Sequence, residues 1–542
     1  MNKEKSKKAK ASNKSASISN CGWPSQYEGV MLQGFYWDSW DETGWRKLTE
    51  NADELAESFD LIWVPNSGTV TSYEPEELTA KSSGYDPLYW FKHNSIWGSE
   101  EELRNMIKTF KKKGTGIIED VVINHKKGEY NWCDFATEEW NGHTISWTED
   151  DICCTDEAAK AGFNVTGNAD EGTDFDGFRD LNHVSKNVQK NVKLYLKFLL
   201  KDLGYTGFRY DMVKGYAGYY IGMYNDSSKP RFSVGEYWDE KDAIVNWLRE
   251  TGRFIAENPN SPDNTSFTPQ SAAFDFGLKT MINQAFNGEF NANALRDKSI
   301  AGWPGMNRWA VTFVDNHDTY REDGTKMDND HNVLAANALI LSIPGTPCIF
   351  YPHWIAHKDA LKAMIAARKL AGISNESTIA LQRGISKGKG YRIRVEGSKG
   401  NILLDLGTPS DRNLEGYGSV WKGDDYNHNF AMYVSLDCML AVGEKEKTIF
   451  FEAPADWGDE IFCYAWRGKK EYTPAWPGHK MEKVATAANG NAIYKWSYRG
   501  REKSLPAKVI FNNCNQQTAN FTFVKNGYYK VDGRKFDVLT KA

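Results

Sequence analysis

From Tyr27 to Gly372 the chain alternates between short apolar runs and segments with helical periodicity, and this alternation restricts the fold more than any other feature. The stretch near residue 100 shows the unit. Ser99 and Glu102 form the S-x-x-E signature of a capping box. Leu103, Met106, Ile107 and Phe110 then recur at i, i+3, i+4 and i+7, on one helical face. Gly114 follows, a residue suited to the left-handed helix end, and Gly116 to Ile123 (GIIEDVVI) reads as a buried strand. The unit returns downstream. Val188, Val192, Leu196, Leu199 and Leu203 mark a helix that stops at Gly204, before the short strand GFRY from Gly207 to Tyr210. Leu61 to Val64, Phe232 to Gly235, Val311 to Val314 and Cys348 to Tyr351 are further strand candidates. Strands alternating with helices predict a parallel sheet. An eight-fold α/β barrel fits the length, and a doubly wound sheet is the alternative.

The remainder must form other units, because single cores stop growing near about 250–300 residues and this chain has 542. Between His125 and His183 the alternation breaks into a polar stretch rich in Gly, Asp and Trp. A long insertion after a strand is usually functional. After Gly372 short alternating strands (GYRIRV, NILLDL, FAMYVSL) predict a β-sandwich to about Gly443, and a second all-β unit follows from Lys447. The net charge of -6 argues against a nucleic-acid partner. No apolar run approaches the roughly 18–20 residues of a transmembrane helix. Residues 1–22 are rich in lysine and serine and lack the apolar core of a signal peptide, so they read as a disordered leader or cloning remnant. Eight cysteines are too few for a disulfide scaffold, although Cys133, Cys153 and Cys154 are close enough in sequence for a local bridge. Partly buried free thiols are the other reading.

In a parallel barrel, catalytic residues stand at the C-terminal ends of strands. Four predicted ends carry acidic or imidazole groups: Asp120 with His125, Asp211, Glu236, and His317 with Asp318. One such carboxylate would most often be a helix cap or a surface charge. Four together form a constellation. Arg209 stands two residues before Asp211, on the same strand face, where its charge is expected to keep Asp211 ionised.

These stretches resemble the signature regions of the α-amylase family, glycoside hydrolase family 13. DVVINH (Asp120–His125), GFRYDMVKGY (Gly207–Tyr216), GEYW (Gly235–Trp238) and FVDNHD (Phe313–Asp318) follow the family order. The second has the plant-type form, with Lys-Gly where many bacterial relatives have Lys-His. GYDP (Gly84–Pro87) and QGFYW (Gln33–Trp37) match accessory signatures. The resemblance covers roughly Tyr27 to Gly372. It implies a retaining hydrolase of internal α-1,4 bonds in starch and maltooligosaccharides. Asp211 is then the nucleophile, Glu236 the acid/base and Asp318 the third carboxylate. His125 and His317 are implied to bind sugar hydroxyls and Tyr85 to offer a stacking face, with Arg209 and Lys214 also lining the substrate site. A transglycosylase of the same family is the nearest rival, and a non-catalytic glucan-binding protein a more distant one.

DEGTDFDGFRD (Asp170–Asp180) resembles the calcium loop of plant-type amylases, with Arg179 where a proline is common. The implied calcium ligands are the side chains of Asn124, Asp170 and Asp180 and the carbonyls of Thr173 and Gly215. A solvated acidic loop is the alternative. Near the C-terminus, IFCYAW (Ile461–Trp466), AWPG (Ala475–Gly478), KVIFNN (Lys508–Asn513) and NGYY resemble starch-binding modules of carbohydrate-binding module family 26. Phe462, Tyr464 and Trp466 share one strand face, opposite Ile461, Cys463 and Ala465, and one of the two faces must be core. Tyr464 and Trp476, then Trp466, are the expected glucan platform. The implied division is a catalytic barrel over 23–375 with an insertion at 126–182, an all-β sandwich over 376–445 and a starch-binding module over 446–542. A monomer is expected, secreted or at the cell surface, because polymeric starch cannot enter a cell.

Overall fold

Short strands that are apolar on both faces cannot rest against water, and a closed parallel sheet wrapped in helices buries them completely. The computed structural model describes residues 22–71, 82–130, 132–255, 267–286, 293–321, 326–327, 330–423, 429–440, 447–498, 504–531 and 535–537. Its central strands are β1 (Met31–Gln33), β2 (Leu61–Val64), β3 (Gly116–Val121), β4 (Gly207–Tyr210), β5 (Phe232–Gly235), β6 (Ala272–Phe274), β7 (Ala310–Phe313) and β8 (Thr346–Phe350). They close in the order β1-β8-β7-β6-β5-β4-β3-β2, every pair parallel. Closure excludes the doubly wound sheet. The leader expected at the N-terminus lies outside the described residues except for Gly22.

The capping signal acts as the sequence implies. Ser99 Oγ accepts from the Glu102 N–H at 3.2 Å, and Glu102 Oε2 accepts from the Ser99 N–H at 3.0 Å. Helix α1 (Glu100–Lys113) then buries Leu103, Met106, Ile107 and Phe110, and ends at Gly114 with φ 90°. Two strands were not foreseen. β1 and β6 have three residues each, too few to display a period.

The insertion leaves the barrel after β3 and returns before β4. At its base His125–Lys126 pairs antiparallel with Arg179–Asp180, His125 opposite Asp180. Thr378 to Ser435 forms one five-stranded antiparallel sheet rather than the expected sandwich. Its inner face, including Ile393, Leu404 and Met432, joins the barrel's hydrophobic core, so barrel helices serve as its second layer. The C-terminal unit does contain two sheets, with Phe451 stacked on Phe511 between them at 4.3 Å. The expected junction at 445/446 falls within 441–446, outside the described residues. Among the described residues no helix is long and apolar enough to cross a membrane.

Arg368 ties the barrel's last turn. Buried completely, it donates to the carbonyls of Leu341, Ile343 and Gly345 at 2.7–3.0 Å. Leaving a buried acceptor without its donor costs about 1–3 kcal/mol. Arg368→Met should therefore lower the thermal midpoint of the full chain by several degrees. An unchanged calorimetric transition would show that those carbonyls find other donors.

Candidate active site

The hydrogen-bond register of neighbouring strands decides which ends meet. Asp120 on β3 pairs directly with Arg209 on β4, and both project into the barrel mouth with Asp211 and Glu236. Arg209 Nη1 donates to Asp120 Oδ1 at 2.7 Å and to Asp211 Oδ1 at 2.6 Å, while Nη2 reaches Glu236 Oε1 at 2.7 Å. One buried guanidinium thus gathers three carboxylates. Its carbon lies 4.9 Å from the Trp63 ring, and the Trp63 indole N–H donates to Asp120 Oδ2 at 3.1 Å.

Three carboxylates sharing one cation out of contact with bulk water cannot all ionise easily. Burial pushes Asp120 up to about 6, Asp211 up to about 7 and Glu236 up to about 8, with Arg209 opposing the rise in each. The sequence suggested that Arg209 would hold Asp211 down. Its charge is instead divided among three partners, and loss of water outweighs it. Asp211 nonetheless stays below Glu236. Asp318 is also raised by burial, against the pull of Arg209 and of a hydrogen bond from Trp37. That bond runs from the Trp37 indole N–H to Asp318 Oδ1 at 3.3 Å.

His317, Tyr85 and Trp37 make one aromatic wall. Gln33 Nε2 approaches His317 Nδ1 at 2.9 Å, which assigns the ring proton to Nε2. Nε2–H then meets the Tyr85 hydroxyl oxygen at 2.7 Å, and Tyr85 donates onward to Asp120 Oδ2 at 2.8 Å. The Tyr85 and His317 rings stack with centroids 5.4 Å apart, and Trp37 lies 5.3 Å from Tyr85. Burial keeps His317 well below the usual histidine value, hence neutral.

The other expected substrate residues stand differently. His125 is buried, its Nε2 is 2.8 Å from the Tyr85 carbonyl, and Phe175 stacks on its ring at 4.4 Å. Both ring contacts are with the protein itself. Lys214 lies at the rim and pairs with Asp239 at 2.9 Å, bracing the turn after Glu236.

Beneath the insertion, carboxylate oxygens of Asp170, Asp174 and Asp180 come within 4.8 Å of one another. Asp174 was not among the expected ligands, although the D-x-G-x-D spacing pointed to it. Asn124 donates to Asp180 Oδ1 at 3.2 Å. The Thr173 N–H donates to the Lys214 carbonyl at 2.9 Å, which seats the loop beside Gly215. A Cβ on Gly215 would stand 1.8 Å from Asn124 Oδ1, so only glycine permits this approach. Asp170 Oδ2 is buried without a hydrogen-bond donor. Burial, then repulsion from Asp170 and Asp156, pushes Asp180 up to about 9. Arg179 pairs with Asp156 at 3.0 Å and with Glu157, beneath the Trp132 ring at 4.2 Å. Cys153 and Cys154 both carry free thiols, so neither bridges Cys133.

In the C-terminal unit Ile461, Cys463 and Ala465 are fully buried, which leaves Tyr464 and Trp466 facing outward. Tyr464 lies 5.4 Å from Trp466 and 5.9 Å from Trp476, and Trp476 is 48% exposed. Aromatic rings held together in water are the pattern of a binding surface rather than of packing.

The family model described as "Alpha amylase, catalytic domain" matches residues 70–380, and that described as "Starch-binding module 26" matches 449–523. The chain belongs to the α-amylase family. It is a glycoside hydrolase of amylase type, acting on glucans and carrying a starch-binding module. It is 28% identical over 429 residues to "Probable alpha-amylase 2" of Arabidopsis thaliana, covering 74% of this chain and 93% of that protein. It is 30% identical over 410 residues to "Glucan 1,4-alpha-maltotetraohydrolase" of Stutzerimonas stutzeri, covering 70% of this chain and 69% of that one. Among solved structures, the cyclic α-maltosyl-(1→6)-maltose hydrolase of Arthrobacter globiformis shares the fold with a TM-score of 0.53 at 15% identity, covering 76% of this chain and 99% of the other.

In this amylase-type centre Arg209 is shared too widely to be replaced by a point charge. Lysine offers no planar fork, so Arg209→Lys should let at least one carboxylate drift. A misplacement of about 1 Å costs about 100-fold in rate. Wild-type kcat/KM in the folded variant would show that the fork is dispensable.

Proposed function

We propose that the enzyme hydrolyses internal α-1,4 bonds of starch with retention of configuration, using Asp211, Glu236 and Asp318. The observation that carries this reading is the single guanidinium holding Asp211 and Glu236 side by side. Retaining glycosidases need two carboxyl groups only about 5–5.5 Å apart, and a hydrogen bond to Asp211 and an ion pair to Glu236 from one fork favour that proximity. Near neutrality Glu236 keeps its proton longer than Asp211 does, which divides the roles. Glu236 protonates the glycosidic oxygen as Asp211 attacks the anomeric carbon, forming a glycosyl ester and releasing the first glucan. Water then loses a proton to Glu236 and attacks the same carbon, freeing Asp211 and giving the α-anomer. Asp318 faces the positive charge that develops on the ring. Tyr85 and His317 offer the wall against which that ring lies, and Lys214 flanks its leaving side. His125 is assigned to holding Tyr85 through its carbonyl. Tyr464, Trp476 and Trp466 are assigned to the starch surface. A monomer acting outside the cell suits so large a substrate.

Calcium is assigned to the cluster under the insertion. The donors there are all oxygen, as calcium prefers, and the donorless Asp170 Oδ2 and mutually repelling carboxylates suit a cation. Asn124, Asp170, Asp174 and Asp180 would hold it by side chain, with the carbonyls of Thr173 and Gly215. When bound it supplies the positive charge that fastens the insertion to the barrel. A ligand of the native state raises stability by mass action, so a chelator should lower the melting temperature. An unchanged melting curve, with metal analysis confirming removal of any ion, would sink the assignment.

The chemical roles separate by mutation and pH. Activity needs Asp211 ionised and Glu236 protonated, so kcat/KM should rise through the Asp211 titration near 7 and fall through that of Glu236 near 8. Asp211→Asn should reduce turnover by orders of magnitude without unfolding the chain. Glu236→Gln should be severe on starch but milder on a glycosyl fluoride, whose leaving group needs no proton, and should lose the alkaline limb. NMR detection of the β-anomer as first product would overturn the double displacement.

A further inference from the structure

The starch-binding module does not stand clear of the sheet before it. The Ala488 N–H donates to the Tyr417 carbonyl at 3.0 Å, and Gly418 forms a β-bridge with Ala487. Ala488 packs among Leu403, Leu414, Ala431 and Tyr433, while Ala487 packs with Leu440, Phe450 and Ile493. Beside these apolar contacts lies a cleft of about 1020 Å³, lined from both units. This volume is at the upper end of small-ligand sites, about 300–1,000 Å³. It has room for several linked sugar rings.

The lining narrows the class of ligand. Asp411, Glu415, Asp437 and Glu452 face Lys422 and Lys530, an excess of negative charge that repels anions. A metal ion is not favoured either, because among the described residues only Asp170, Asp174 and Asp180 converge closely enough to hold one. Glu452 is already taken up by Tyr528 at 2.6 Å and Asn489 at 2.7 Å. Asp411, Glu415 and Asp437 remain as exposed acceptors, with Lys422 as an exposed donor and Asn401 half-buried on the same wall. Such a mixture suits a neutral ligand whose every hydroxyl both donates and accepts. Half-buried Tyr417 adds one ring for the C–H face of a sugar.

We propose that this cleft is a second glucan-binding site, separate from both the barrel mouth and the Tyr464–Trp476 surface. It rests on glucan being the substrate of the chain. A glucan lying there touches the sheet and the module at once, so binding adds to the contacts that already join them. An enzyme that grips one polymer at several fixed points gains avidity without any change in its chemistry.

The test is hydrogen–deuterium exchange on the full chain carrying Asp211→Asn, with and without maltoheptaose. Exchange should slow several-fold in peptides covering 411–418 and 485–491. Adding Asp411→Ala with Lys422→Ala, both exposed, should remove that protection. Tyr417→Ala should do the same, while protection in the barrel and over 464–478 persists. Absence of protection in the cleft peptides overturns the proposal, as does protection that survives the double variant. Protection of the barrel peptides reports separately on the amylase reading, so the two can fail independently.

Discussion

Everything at the barrel mouth is arranged around one buried positive charge. Arg209 must lie out of water for its fork to reach three strands' worth of carboxylates, and a buried charge persists only when paired. The pairing is over-supplied. Burial raises all three carboxyl pKa values, and one cation shared among three acids offsets only part of that rise. Burial with repulsion from the neighbouring acids leaves a proton-holding member, Glu236, beside a more readily ionised one, Asp211. The same electrostatics explain the neutral His317, which faces Arg209 and Arg321 in a dry site. Its Nε2–H can therefore only donate, and it fixes Tyr85 through the hydroxyl.

The insertion extends this arrangement outward. Residues 120–125 run from the carboxylate group to the acidic cluster within a few positions. Asp120 accepts from Arg209, Asn124 donates to Asp180, and His125 holds the Tyr85 carbonyl. The His125–Asp180 strand pair welds the two ends of the insertion at this point. Any change in the acidic loop therefore reaches Tyr85 through one rigid peptide segment. A charge added to that loop acts on Tyr85 by geometry, without touching its ring.

Much of this was legible in the sequence, and the exceptions have physical causes. The capping box, the helical face of α1 and the longer barrel strands follow from local chemistry that needs no partner. β1 and β6 escaped because three residues cannot show a period. Alternation along Ile461–Trp466 announced two faces but could not say which was core. The opposing sheet decides that, through Ile449 and Phe451, which share one buried cluster with Cys463 and Ala465. Asp174 was written plainly in the loop spacing and needed only to be counted. The Asp211 pKa was misjudged for a deeper reason: sequence shows that Arg209 is adjacent, but not that Asp120 and Glu236 compete for it. Burial and sharing are properties of the closed barrel.

The position of the module shows how far contacts can revise a domain reading. A starch-binding unit joined by a slack linker raises local substrate concentration in proportion to the volume it sweeps. Here Ala487 and Ala488 are buried against the neighbouring sheet, and that sheet's inner face is in turn part of the barrel core. Each interface is apolar and carries backbone hydrogen bonds or buried side chains, so the units move together. The exposed Trp476 surface therefore keeps a defined direction relative to the barrel, rather than lying somewhere within a sphere. Packing at Ala487 and Ala488, whose small side chains let the sheets approach, sets that direction.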